Sequence, residues 1–283
     1  MKRIASLFAA AAAAVAGCVL VLAGGMASAS DGHAAATLPT ITLALDGKSI
    51  TVGGQEVSGA VNIKTTVTKE SMGEPTLVRL DPGVTFAQAQ AAVQSHRGDL
   101  DALDGLATVV YDQDASRGAT TVGQVALQPG NYVALDLGQG GGKAPHTTFA
   151  VAQSPSPGAL PAASATVSAH EFGFSGPTVL HEGTIVRAVN DGWLVHMIDA
   201  TGVRSRADGM KVIALLLAGK DKQATKIATS AFFSLAEPIS HGVSQQEVLN
   251  VPPGWYVQAC FMTTQDGREH TQLGMERLIR VVK

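Results

Sequence analysis

Beyond residue 29 the chain is a succession of short apolar stretches broken by Gly and Pro. The stretch GTIVRAVN (183–190) partly alternates apolar and polar positions, as in a sheet with one solvated face. Stretches 165–174, 194–199, 248–251, 255–262 and 278–282 carry β-branched and aromatic residues with breakers between them, and predict further strands. Two segments read as helices. Thr85 is placed to cap FAQAQAAVQSH, and Asp208 to cap GMKVIALLLAG, whose Leu-rich face predicts packing against a sheet.

The pattern repeats. Pro129-Gly130-Asn131-Tyr132-Val133 matches Pro253-Gly254-Trp255-Tyr256-Val257, and Gly130 and Gly254 stand 124 positions apart. The same offset relates His146 to His270, Gly59 to Gly183, Val61 to Ile185, and Ile41-Thr42-Leu43 to Ala165-Thr166-Val167. Self-similarity at one offset predicts two homologous domains, 36–152 and 165–283, each mostly strands with one short helix. Between them, 153–164 holds Pro155, Pro157 and Pro161 among Ser and Gly, and reads as an extended connector.

The start of the chain reads as an export signal: Lys2 and Arg3, an apolar stretch over 4–26, then Ala27-Ser28-Ala29 with cleavage expected after Ala29. A retained membrane anchor is the first alternative. A lipoprotein box at Val15-Ala16-Gly17-Cys18 is the second, ranked lower because the apolar VLVLAGG follows it where lipoproteins usually turn polar. Export places the mature chain in the cell envelope, the periplasm or outside the cell, and a membrane enters only through lipid on Cys18 or a retained apolar segment.

Removing 1–29, which holds Lys2 and Arg3 and no acid, takes the formal charge from −3 to −5. An acidic chain without clustered Lys and Arg argues against nucleic acid. Loss of Cys18 leaves Cys260 as the lone thiol. In an oxidising compartment such a thiol needs burial, an intermolecular partner or a metal.

Cys260 shares a short C-terminal run with His270 and Met275. A thiolate, an imidazole and a thioether on one loop make a soft donor set. With a second imidazole, which His196 is placed to supply, they match the His₂Cys set with weak axial Met that suits copper. Taken singly, Cys260 or Met275 would be core, His196 a strand histidine and His270 a loop residue. The ordered set is what points to a metal.

These residues resemble the cupredoxins, the blue-copper family. The shared signature reads here as HEGTIVRAVNDGWLVH, then PPGWYVQAC, then HTQLGM and LIRVV. The resemblance covers most of the second domain and, through the repeat, extends to the first. It implies an all-β fold of two tandem Greek-key β-sandwiches. It puts His196, Cys260, His270 and Met275 at the four ligand positions of one type 1 copper site in the second domain. Asn190 falls where the loop carrying the first His is steadied. The Cys-to-His spacing is longer than in plastocyanin or azurin and closer to copper nitrite reductases. Ala259, however, stands where those enzymes place a His for a second copper. The segment 203–250 is longer than a minimal carrier needs. The first domain has Asp136 at the position matching Cys260 and no His around 72–75, so it is expected to be metal-free.

No Gly-x-Ser-x-Gly, phosphate loop or His-x-His pair occurs, which argues against hydrolases, nucleotide enzymes and multicopper oxidase chemistry. His170, His181 and His241 are expected at the surface. The expectation is a non-enzymatic exported copper protein that carries electrons or holds copper and meets a redox or envelope protein partner. The alternative is a metal-free interaction or structural module of the cell envelope.

Overall fold

The computed structural model describes residues 38–138 and 144–283. The segment read as an export signal, its expected cleavage site and Cys18 lie outside the described residues. Among the described residues, no helix is long and apolar enough to cross a membrane.

In the first half the strands are β1 (Thr40–Leu45), β2 (Ile50–Gly54), β3 (Gly59–Val67), β4 (Met72–Gly73), β5 (Pro75–Leu80), β6 (Ala107–Asp112), β7 (Ala115–Ser116), β8 (Thr120–Leu127), β9 (Gly130–Asp136) and β10 (His146–Val151). In the second they are β11 (Ala165–His170), β12 (Gly173–Ser175), β13 (Val179–His181), β14 (Ile185–Asn190), β15 (His196–Val203), β16 (Phe232–Ile239), β17 (Ser244–Val248), β18 (Gly254–Ala259) and β19 (Glu276–Val282). The helices are α1 (Phe86–Ser95), α2 (Arg206–Leu217) and α3 (Asp221–Thr225).

Each half is a two-layer sandwich with the same strand order. The first pairs β8-β3-β1-β2 in one layer and β10-β9-β5-β6 in the other. The second pairs β17-β14-β11-β12 in one layer, with β19-β18-β15-β16 in the other and β13 added at its edge. In both, the opening strand runs parallel to the third main strand, β1 with β3 and β11 with β14. The cores lie between the layers. Val167, Val186, Ile198, Leu235, Tyr256 and Ile279 fill the second. Ile41, Leu43, Ile63, Leu77, Tyr111 and Tyr132 fill the first. Each such side chain contributes about 1.5–3 kcal/mol by leaving water. The repeat also reaches the corners: Tyr132 Oη donates to Gln128 O at 2.8 Å and Tyr256 Oη to Pro252 O at 2.7 Å.

The halves are joined edge to edge. β17 pairs with β8 through Gln245↔Val125 and Gln246↔Gln124, which makes one eight-stranded sheet across the molecule. Gln246 Nε2 donates to Gln124 Oε1, and Gln124 Nε2 to Asn62 Oδ1. On the other layer Ser240 N donates to Val109 O and Val109 N to Ser240 Oγ, which ties the end of β16 to β6. The connector is therefore no free tether. Gly158 O accepts from Ala60 N, and Pro161 O accepts from Arg187 and Gln246.

Local structure departs from the sequence expectation in four places. Thr85 caps α1 with a full capping box to Gln88 as expected, but the cap of α2 is Ser205, not Asp208. Ser205 is extended and its hydroxyl accepts from Asp208 N, so Asp208 enters the first turn and Gly209 the helix body. There Leu278 packs so close that a Cβ at 209 would overlap it. The second half has α3 as well as α2. The strand expected at 248–251 runs instead over Ser244–Val248, where buried Gln245 and Gln246 make the inter-domain pairing. β16, inside the long 203–250 segment, was not anticipated.

Candidate metal centre

β15 ends one layer at His196, and β18 delivers Cys260 just past its last residue at the same pole. Asn190 closes the loop between β14 and β15. It is fully buried, donates from Nδ2 to Leu194 O and Ile239 O, each at 2.8 Å, and accepts from Gly192 N at 2.9 Å. The loop after Cys260 returns through a short 3-10 turn, His270–Leu273, ended by Gly274 at φ 94°. Gly274 takes the left-handed conformation that side chains with a Cβ resist. Met275 N then donates to His270 O at 3.0 Å, and Cys260 N to Met275 O at 3.2 Å.

This geometry brings three donors together. Cys260 Sγ lies 3.8 Å from His196 Nδ1 and 3.3 Å from His270 Nδ1, and the two Nδ1 atoms are 3.1 Å apart. All three residues are fully buried. A triangle with these sides has a centre about 2.0 Å from every corner, the length of a metal–imidazole bond and slightly short of a metal–thiolate bond at ~2.3 Å. His270 Nε2 makes no hydrogen bond, nor does His196 Nε2, whose neighbouring acid, Glu171 Oε1, stands 3.7 Å away. Among the described residues this is the one His/Cys/Asp/Glu group of three with ligand atoms mutually close enough for one ion. Met275 is fully buried in the same core and tied by backbone bonds to both Cys260 and His270.

Burial sets the protonation. It pushes the Cys260 thiol up to about 12, against the N–H groups of Met197 and Met262, which bond the sulfur. It pulls His196 down to about 4, partly opposed by Glu171. It pulls His270 down to about 4, helped by His196 alongside. Two neutral imidazoles and a thiol are the metal-free state, and a metal has only one proton to displace.

Several surrounding residues have no sequence signal. Glu171 Oε1 accepts from Trp193 N and from Leu194 N at 3.0 Å, and lies 3.7 Å from His196 Nε2. A Cβ at Gly192 would lie 2.7 Å from both of those side-chain atoms, so only glycine fits. Phe172 meets the His270 ring edge-on at 5.1 Å. Trp193 is 81% exposed and stacks on His241 beside the loop. His170 and His181 are exposed, as expected, and so is His241.

In the first half the matching position carries no such set. Asp136 is buried, and its Oδ1 accepts from Glu74 N and Gly138 N. Asp136 N donates to Pro145 O as Cys260 N does to Met275 O. His146 pairs with Leu135 across the sheet, the place Glu276 takes against Ala259. The constant offset between His146 and His270 is thus a coincidence of loop lengths, not a shared position. His146 instead packs on Phe86, with Nδ1 near Ala144 O at 3.3 Å.

No protein-family model and no curated protein matches the chain. Among solved structures it is similar to a dithionite-reduced auracyanin from the photosynthetic bacterium Roseiflexus castenholzii, at 16% identity over 42% of this chain and 95% of that one, with a TM-score of 0.27. It is also similar to auracyanin A, a "blue" copper protein from Chloroflexus aurantiacus, at 14% identity over 41% and 99%, TM-score 0.24. A copper-containing nitrite reductase from Thermus scotoductus SA-01 matches at 12% identity over 86% and 67%, TM-score 0.24. TM-scores this low add nothing to what strand order and donor geometry already carry. Two β-sandwiches of one strand order, with a buried His–Cys–His group in the second, are the arrangement that the sequence resemblance to the cupredoxins implies.

Proposed function

We propose that the second domain binds one copper ion through His196 Nδ1, His270 Nδ1 and the Cys260 thiolate, with Met275 as a weak fourth donor, and that the protein carries electrons or holds copper outside the cytoplasm. The observation that carries this reading is the common point about 2.0 Å from all three donor atoms. Copper in a thiolate–imidazole set takes up and releases one electron.

The chain's own residues supply the rest. Asn190 and Glu171 hold the loop before His196, and Phe172 shields His270 from water. The N–H of Met197, 3.4 Å from Cys260 Sγ, stabilises negative charge on sulfur. Two rigid layers fix the donors in advance, which keeps rearrangement small when the charge changes. Export follows from the leader-like segment 1–29, and the partner is a redox or envelope protein.

The test is colour. Chain lacking residues 1–29, given Cu(II), should develop an intense visible thiolate-to-copper band, and Cys260→Ser should abolish it. Absence of both band and bound copper would leave the metal-free interaction module, a reading the first domain favours because it keeps the sandwich with Asp136 in place of the thiol. Tight Cu(I) binding without a reversible couple would select holding over electron transfer.

A further inference from the structure

Helix α2 is apolar on two sides, and one of them is packed. Inward, Gly209, Val212 and Leu216 lie against the sheet residues Val203, Val257 and Leu278. Outward, Met210 is 46% exposed and Leu217 51%, and Ala207 and Ala214 are exposed with them. At about 3.6 residues per turn these four fall on one stripe opposite the packed side, with Arg206 on one border and Lys211 on the other. A helix that is apolar on both sides is ordinarily covered on both. Here the outer stripe faces water.

The stripe lies in a basic field. Arg204, Arg206, Lys211, Lys220, Lys222 and Lys226 are all exposed, and segment 204–226 has Asp208 and Asp221 as its acids, in a chain of formal charge −3. Among the described residues none of the six cations takes part in an ion pair. Helix stability does not account for them. Arg204 and Arg206 stand at the N-terminal end of α2, where the macrodipole favours acids. Unpaired cations bordering an exposed apolar stripe are the features of a helix that lies in a membrane interface. Protein interfaces favour aromatic residues and Arg over Lys. This stripe has no aromatic residue, and four of the six cations around it are Lys, which favours lipid over an acidic protein. Long Lys stems also adapt to the unpatterned field of acidic headgroups.

We propose that the outer flank of α2 docks the protein on a membrane surface carrying anionic headgroups, with Met210 and Leu217 entering the headgroup boundary and the surrounding cations facing acidic lipid. The segment 203–250, longer than a minimal carrier needs, thereby gains a task through α2 and α3. The C-terminal end of α2 lies against the turn that opens with His270, since a Cβ at Gly219 would stand 3.0 Å from Gln272 Nε2. Docking therefore turns the side of the molecule that carries His270 toward the bilayer. The surface is independent of the copper reading.

Chain lacking residues 1–29, which keeps every strand and helix described, is floated with phosphatidylcholine vesicles containing about one third phosphatidylglycerol. Binding at low salt, release at about 0.5 M salt and no binding to phosphatidylcholine alone are expected. Each cation removed should weaken partitioning about fivefold, so Lys211→Gln with Lys220→Gln and Lys222→Gln should cost about a hundredfold. Met210→Gln with Leu217→Gln should cost about tenfold or more. All five side chains are exposed, so the variants should melt within a few degrees of wild type. Should one fail to fold, the salt and headgroup dependence of the wild-type chain decides. Cys260→Ser should bind the vesicles as wild type does, whether or not the protein takes up copper. No binding to the anionic vesicles, equal binding to neutral ones, or binding that neither set of substitutions weakens would overturn the proposal. The first of these would leave the face to an acidic protein.

Discussion

Asp101 Oδ1 of the first domain accepts a 2.6 Å hydrogen bond from the backbone N–H of Val195, the residue immediately before His196. The first domain thus holds the loop that presents His196 in the second. Asp101→Ala removes the acceptor and should weaken copper binding by about tenfold, the lower end of what outer groups around a site contribute. Asp101→Asn keeps a carbonyl oxygen there and should restore most of the affinity. A competition titration against a copper chelator reads both, and equal affinity in all three proteins would remove Asp101 from the account.

Copper uptake should release about one proton near neutral pH. The Cys260 thiol, pushed up to about 12, must lose its proton, whereas His196 and His270, pulled down to about 4, are already neutral. Apparent affinity should therefore rise about tenfold per pH unit between pH 5 and 8. Calorimetry in buffers of different ionisation enthalpy measures the proton count. A value near zero would mean the thiolate is already present in the metal-free protein.

Asp199 is pushed up to about 8 in the folded chain, chiefly by burial, from 3.8. Because its folded value is raised, its contribution is fully present below pH ~4 and is lost as pH rises toward 8, on the order of 1 kcal/mol per pH unit. Asp199→Asn should flatten the fall in melting temperature between pH 5 and 8 when both proteins are free of cations. A parallel fall in the two proteins would show that Asp199 is ionised throughout.

Gly192→Ala should damage the centre more than the fold. Its Cβ would press within 2.7 Å of His196 Nε2 and Glu171 Oε1. The expected result is a lost or shifted copper band with a melting temperature within a few degrees of wild type. An unchanged band would show that the loop has room the geometry denies.

Tyr256→Phe removes the hydroxyl bond to Pro252 O, a corner that Tyr132 and Gln128 O repeat in the first domain. The expected loss is about 1 kcal/mol, or roughly 2–4 °C of melting temperature. Thermal unfolding of the metal-free protein checks it.

The His196–Cys260–His270 group was readable because its members are rare residue types at characteristic spacing: Cys260 and His270 in one short run and His196 at a strand start. The strands and the Thr85 cap were readable from alternation and turn chemistry. Other features depend on contacts between residues far apart in sequence. Asp199 faces Ser234 only because β15 pairs with β16. Glu171 reaches His196 only because the β11–β12 turn folds over the loop. The α2 cap was misassigned because Asp208 is itself a good capping residue and Ser205, three positions earlier, was not considered. The His146–His270 match misled because a single offset was carried through loops of unequal length.

The central claim is that one sulfur and two imidazole nitrogens share an ion. X-ray absorption at the copper edge of the loaded protein tests it directly. The account predicts two nitrogen scatterers near ~2.0 Å and one sulfur near ~2.3 Å or slightly less, with the sulfur lost in Cys260→Ser. A shell of nitrogen and oxygen alone, unchanged by that substitution, would contradict it.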